Sequence, residues 1–193
     1  MGRKAGFRDE DVFASVATLM AHGNGVALRD LSKDTGVSIG SLYHRFDGMD
    51  AILAETWLWA AESFQSGFVD WLTVGTHRGG LRAAVQLPLF CQTEPKRALA
   101  LVGAPTTDYL KPGMPAALAA RVAALQERET RGFEQFTTSA QLGRDAAALA
   151  VFGYPKAVVQ CYLPQRPVPD IAQMHVRNAY WAALKLGEIR TLD

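Results

Sequence analysis

Cysteine is nearly absent from this sequence. The two residues, Cys91 and Cys161, stand far apart with no redox or metal-binding spacing. No disulfide framework or zinc site is expected, and the pattern fits a reducing cytoplasm. Long apolar runs are missing too. No stretch of about 18 apolar residues occurs, so no membrane-spanning helix is expected. The opening MGRKAGFRDEDV mixes basic and acidic residues without an apolar centre, so no secretory leader is expected. An excess of one charge is also lacking. Lys and Arg number 20 against 19 Asp and Glu, a formal net charge of +1. This excludes a broadly basic nucleic-acid binder, and any such contact must be local. There is no Gly-rich phosphate loop, no nucleophile elbow and no placed carboxylate pair. His22, His44, His77 and His175 are scattered. No catalytic residue, metal site or cofactor is therefore expected.

What is present is alanine, 30 residues of 193. Alanine favours helix and is depleted in strands. No sustained alternation of apolar and polar residues accompanies it, so the expected class is all-α. With 49% hydrophobic and 20% charged residues the chain is globular rather than disordered. Apolar spacing and Gly/Pro punctuation predict helices over 9–22, 28–35, 39–45, 49–72, 80–93 (kinked or broken near Pro88), 95–103, 116–141, 145–163 (disturbed at Gly153 and Pro155) and 170–187. Gly79-Gly80 reads as an interruption, Gly143 as the end of one helix and Gly187 as the end of the last. The run Pro105 to Pro115 and the run Leu163 to Pro169 read as loops.

The most specific segment is VALRDLSKDTGVSIGSLYHRF, residues 26–46. Two short helices joined by a tight glycine turn can place the second in a DNA major groove. Gly36 suits the left-handed turn and Ser38 suits the following N-cap. Leu42 and Phe46, four apart, should face inward. Ser38, Ile39, Gly40, Ser41, Tyr43 and His44 are then candidate DNA contacts, with Arg29 and Arg45 as basic neighbours.

Residues 8–55 resemble the DNA-binding region of TetR-family transcriptional regulators. Ala14, Gly23, Leu28, Arg29, Asp30, Leu31, Gly36, Val37, Ser38, Gly40, Ser41, Leu42, Tyr43, Phe46 and Leu53 carry the likeness. GVSIGSLYHRF followed by a long helix is its most specific part. The resemblance implies a three-helix head, residues 1–48, and a helical domain, 49–193, that binds a small molecule and dimerises. Two features depart from the family pattern. Met49 stands where a phosphate-holding lysine is usual, and Ala27 where Ser or Thr often caps the second helix. Residues 1–50 carry six basic and seven acidic side chains. Few phosphate contacts and a shallow salt dependence are expected.

Aromatic-lined spaces between helices are the usual form of a small-molecule site. Trp59, Phe64, Phe68, Phe90, Cys91, Tyr109, Met114, Arg131 and Phe133 are the candidates here, for a small apolar or amphipathic effector. The resemblance implies that helices within 145–187 make a homodimer. Ala146, Leu149, Ala150, Phe152, Ala157, Val158 and Cys161 supply one apolar surface, and Ile171, Met174, Ala179, Tyr180, Ala182 and Ala183 the other. The expected function is a ligand-responsive regulator, a repressor, on a palindromic double-stranded operator. The alternative is a helical small-molecule-binding protein or enzyme whose DNA-binding head is disused.

Overall fold

The computed structural model describes residues 7–23 and 25–186, with side chains in the last helix as far as Leu184. Every regular element among them is helical. The order is α1 (Asp9–Ala21), α2 (Leu28–Thr35), α3 (Ile39–Phe46), α4 (Met49–Thr73), α5 (His77–Thr93), α6 (Pro95–Val102), α7 (Thr106–Tyr109) and α8 (Ala116–Ser139). Then come α9 (Arg144–Ala148), a π-helical turn (Leu149–Gly153), α10 (Tyr154–Gln160) and α11 (Ile171–Leu186). The chain forms two compact units. One holds the described part of Met1–Ala60 with Lys96–Arg121, the other Ala61–Pro95 with the described part of Val122–Asp193. A division by compactness thus differs from the sequence-drawn 1–48 and 49–193, because α6 and α7 return to the first unit.

In the first unit, Val12 and Val16 of α1, Leu31 of α2, Leu42 of α3 and Ile52 of α4 are completely buried. Each short helix contributes one deep anchor, so the head is held by few, large contacts. The run Pro105 to Pro115 is not wholly a loop. It contains α7, whose Tyr109 is completely buried. Its hydroxyl has no hydrogen-bond partner among the described residues. Burial without a partner is unfavourable, and it raises the phenol above its usual pKa.

In the second unit an aromatic cluster forms the centre. Phe64 and Phe68, one turn apart on α4, stack at 5.0 Å between centroids. Phe90 meets Phe64 edge-on at 5.5 Å. Phe152 lies 5.4 Å from Phe68 and 5.2 Å from Phe133. Tyr180 of α11 is completely buried and donates its O–H to the His77 carbonyl at 2.8 Å. The two buried tyrosines make opposite predictions. Tyr180→Phe should lower the unfolding free energy by about 1 kcal/mol, and Tyr109→Phe should leave it unchanged or raise it. Urea unfolding of each variant decides, and equal losses would contradict the account.

Several local expectations need correction. Gly79-Gly80 does not interrupt a helix. Both lie in α5, after Thr76 caps it by accepting from the Gly79 N–H at 3.1 Å. Pro88 sits inside the same helix without ending it. The expected helix over 145–163 is split by the π-helical turn, and Pro155 falls in the first turn of α10, where a missing N–H costs little. Gly143 does not end α8. That helix stops at Ser139, Gln141 takes the positive φ of 55°, and Gly143 precedes α9. Gly187 lies outside the described residues.

Glu129 of α8 accepts a hydrogen bond from Gln65 Nε2 at 3.1 Å, and partial burial raises its carboxyl above the usual range. The folded chain therefore keeps this proton to higher pH than the unfolded chain does. The group's favourable contribution is full below the ordinary carboxylate pKa and lost as pH rises through the raised folded value. Glu129→Gln should stabilise the protein at neutral pH and much less near pH ~4. Denaturant titrations at both pH values test this, and an equal shift at the two would contradict it.

Candidate nucleic-acid interface

The turn between α2 and α3 is built as its residues demand. Gly36 takes φ 70° and its N–H reaches the Ser32 carbonyl. Only glycine adopts that conformation without cost. Ala27 has no capping side chain, and the Asp30 carboxylate accepts the Ala27 N–H at 3.1 Å. Ser38 caps α3 by accepting from the Ser41 N–H at 3.1 Å. Asp47 then closes the helix in the left-handed region, φ 61°.

α3 is fixed by its inner face. Leu42 is completely buried, and Phe46 packs on Phe13 of α1 with centroids 5.7 Å apart. The outer face carries Ile39, 45% exposed, and Tyr43, 58% exposed. Gly40 and His44 are exposed beside them, as is Arg29 on α2. A Cβ on Gly40 would meet nothing, so the backbone there is open to close approach.

Three of the sequence-chosen contacts are engaged within the head. The Ser38 and Ser41 hydroxyls bond each other at 2.8 Å. Arg45 forks onto Asp9, with Nε to Oδ1 at 3.1 Å. The acids Asp9, Glu10 and Asp11 open α1, where its N-terminal dipole favours negative charge, and each also grips an arginine. Asp9 holds Arg45, Glu10 holds Arg97 at 3.1 Å, and Asp11 holds Arg8 at 2.9 Å. Arg45 thus ties the end of α3 to the start of α1. Arg29, Tyr43 and His44 show no such engagement among the described residues.

The nine ligand candidates are divided between the two compact units. Trp59, Tyr109 and Met114 belong to the first unit. Trp59 packs on Phe13 at 5.9 Å and under Arg97 at 4.9 Å. Phe64, Phe68, Phe90, Cys91, Arg131 and Phe133 belong to the second unit. The four phenylalanines are ring-packed core or its edge. Cys91 is buried, its thiol pushed up to about 12, which keeps it protonated and unreactive. Arg131 is exposed and pairs with Glu127 at 3.1 Å.

A cleft that sequence reading missed lies in the second unit. It measures about 540 Å³ and is lined by Trp71, Arg78, Leu81, Arg82, Val85, Gln86, Leu89, Gln173 and Arg177. The only sequence signal is the spacing Arg78, Arg82, Gln86, which stacks three polar side chains along one stripe of α5.

Of the residues assigned to the 145–187 interface, Ala150, Tyr180 and Ala183 are buried inside the second unit. Leu149, Ile171, Met174 and also Trp181 are exposed. Among the described residues no helix is long and apolar enough to cross a membrane, and no cluster of metal-ligating side chains forms.

No family model matches the chain, and no curated protein matches it. One similar solved structure is that of a candidate transcriptional regulator from Streptomyces coelicolor A3(2). It is 18% identical with a TM-score of 0.46, over 91% of this chain and 96% of that one. A likeness of that depth assigns no activity.

Proposed function

We propose that this chain is a ligand-responsive transcriptional regulator of the TetR type, working in the cytoplasm. It is a repressor that holds a palindromic operator as a homodimer and is released by a small effector bound in its C-terminal helices. The observation that supports this most is α3. It is a capped two-turn helix, anchored by one buried leucine, that presents Ile39, Gly40, Tyr43 and His44 outward. A recognition helix needs that division of faces. The motif resemblance of residues 8–55 supports the same reading.

Dimerisation is supported by the outward stripe of α11. Ile171, Met174 and Trp181 are exposed, while Ala172, Val176, Tyr180 and Ala183 face the core. Regulation would be a two-state equilibrium. An effector shifts it only by its differential affinity for the two states. Release by about 100-fold needs roughly 2.7 kcal/mol of coupling. α4 contributes residues to both compact units and is the natural lever.

One observation favours the rival reading, a small-molecule-binding protein or enzyme with a disused head. Arg45 is taken by Asp9, and α4 opens with Met49 and Asp50, so the head offers duplex phosphates little positive charge. Met49→Lys separates the readings. In the regulator, it adds about one phosphate contact, raising duplex affinity about threefold and steepening the salt slope by about 0.9. Fluorescence anisotropy of a labelled duplex across salt concentrations measures both. An unchanged slope would place that helix end away from the phosphates and favour the rival.

A further inference from the structure

The arginine cleft of the second unit has a composition that core packing does not explain. Arg78 and Arg82 are one turn apart on α5, and Arg177 faces them from α11. Among the described residues no carboxylate pairs with any of the three. Like charges at four-residue spacing repel. The chain elsewhere pairs its arginines readily, as Arg128 does with Asp70 at 3.1 Å and Arg131 with Glu127. Three guanidinium groups around one depression, without an internal counter-charge, make a positive site.

The walls are specific as well. Trp71 forms an aromatic face, with the Arg82 guanidinium stacked over it at 4.4 Å. Leu81, Val85 and Leu89 run as an apolar stripe beside the arginines. Two polar side chains are held in place. Gln86 Nε2 donates to the Phe64 carbonyl at 3.3 Å, and Gln173 Nε2 to Gln92 Oε1 at 2.8 Å. The volume falls in the range of small-molecule sites.

We propose that this cleft binds an organic anion, a carboxylate or phosphate head on a flat apolar body. The head meets Arg78, Arg82 and Arg177 through forked hydrogen bonds, and the body lies against Trp71 and the α5 apolar stripe. Arg177, three residues from Met174 and four from Trp181, borders the stripe of Ile171, Met174 and Trp181, so the cleft opens beside that stripe. As an anion site the cleft is independent of the regulator reading. As the effector site it rests on that reading, and it replaces the buried aromatic cluster as the place where an effector binds.

The test is calorimetric titration of the full chain with naphthoate, naphthyl phosphate and neutral naphthamide. At least one of the two anions should bind tenfold or more tightly than the amide, and the better one identifies the head group. Arg82→Gln and Arg177→Gln should each weaken that anion about tenfold, with the amide unaffected. Arg166→Gln, exposed and outside the cleft lining, is the control and should change nothing. Equal binding of anion and amide, no anion binding, or wild-type anion affinity in both cleft variants overturns the site. The better anion is then added to a protein–duplex complex. Release supports the effector role. Anion binding without release overturns that role and leaves the site. A chain that binds duplex but no anion overturns the site and leaves the regulator reading.

Discussion

Gly80→Ala is expected to lower the unfolding free energy by about 3 kcal/mol. Gly80 lies in the first turn of α5, buried. A Cβ built there falls inside contact distance of the Phe136 ring and 2.5 Å from the Tyr180 hydroxyl oxygen. Phe136 is completely buried, so its ring has nowhere to move. Tyr180 would have to retreat and give up its bond to the His77 carbonyl. Overpacking costs about 1–3 kcal/mol, and the lost hydrogen bond about 1 more. Gly40→Ala is the matched control. It is also helical, but its Cβ would meet nothing, so it should gain a fraction of about 1 kcal/mol from helix propensity. Urea unfolding of the pair distinguishes steric cost from propensity. Equal effects would contradict the close approach of α5 to Phe136 and Tyr180.

Tyr43→Ala is expected to weaken operator binding about tenfold, roughly 1.4 kcal/mol, while leaving stability almost unchanged. Tyr43 is 58% exposed, so little packing is lost with its ring. Leu42, its neighbour, carries the anchoring. Ser41→Ala should have a smaller effect, because its hydroxyl is already bonded to Ser38. Anisotropy titrations on the selected operator, with thermal unfolding alongside, test both. Wild-type affinity in Tyr43→Ala would remove α3 from the interface.

The head was legible because its signals are local. Gly36, Ser38 and the Asp47-Gly48 pair each mark a helix end within a residue or two, and Leu31 and Leu42 announce the buried faces. The tie of Arg45 to Asp9 was not legible because the two are far apart in sequence. α7 was hidden by the prolines around it, although Pro105 directly precedes its first turn. Gly80 looked like a break because the reason for a glycine there, the ring of Phe136, lies on another helix. The phenylalanines among the ligand candidates are ambiguous for a related reason. An aromatic residue at helical spacing signals burial, but burial against Phe152 and burial around an effector give one pattern. The arginine cleft needed Arg177 of α11 to be set against Arg78 and Arg82 of α5, a juxtaposition that spacing along the chain does not show.

The central claim is that α3 reads DNA. Selection of binding sites from random duplexes at about 0.1 M salt, with Tyr43→Ala in parallel, tests it most directly. The account predicts an enriched palindrome that the variant fails to enrich. No enrichment by the wild-type chain, or the same palindrome recovered by the variant, would contradict it.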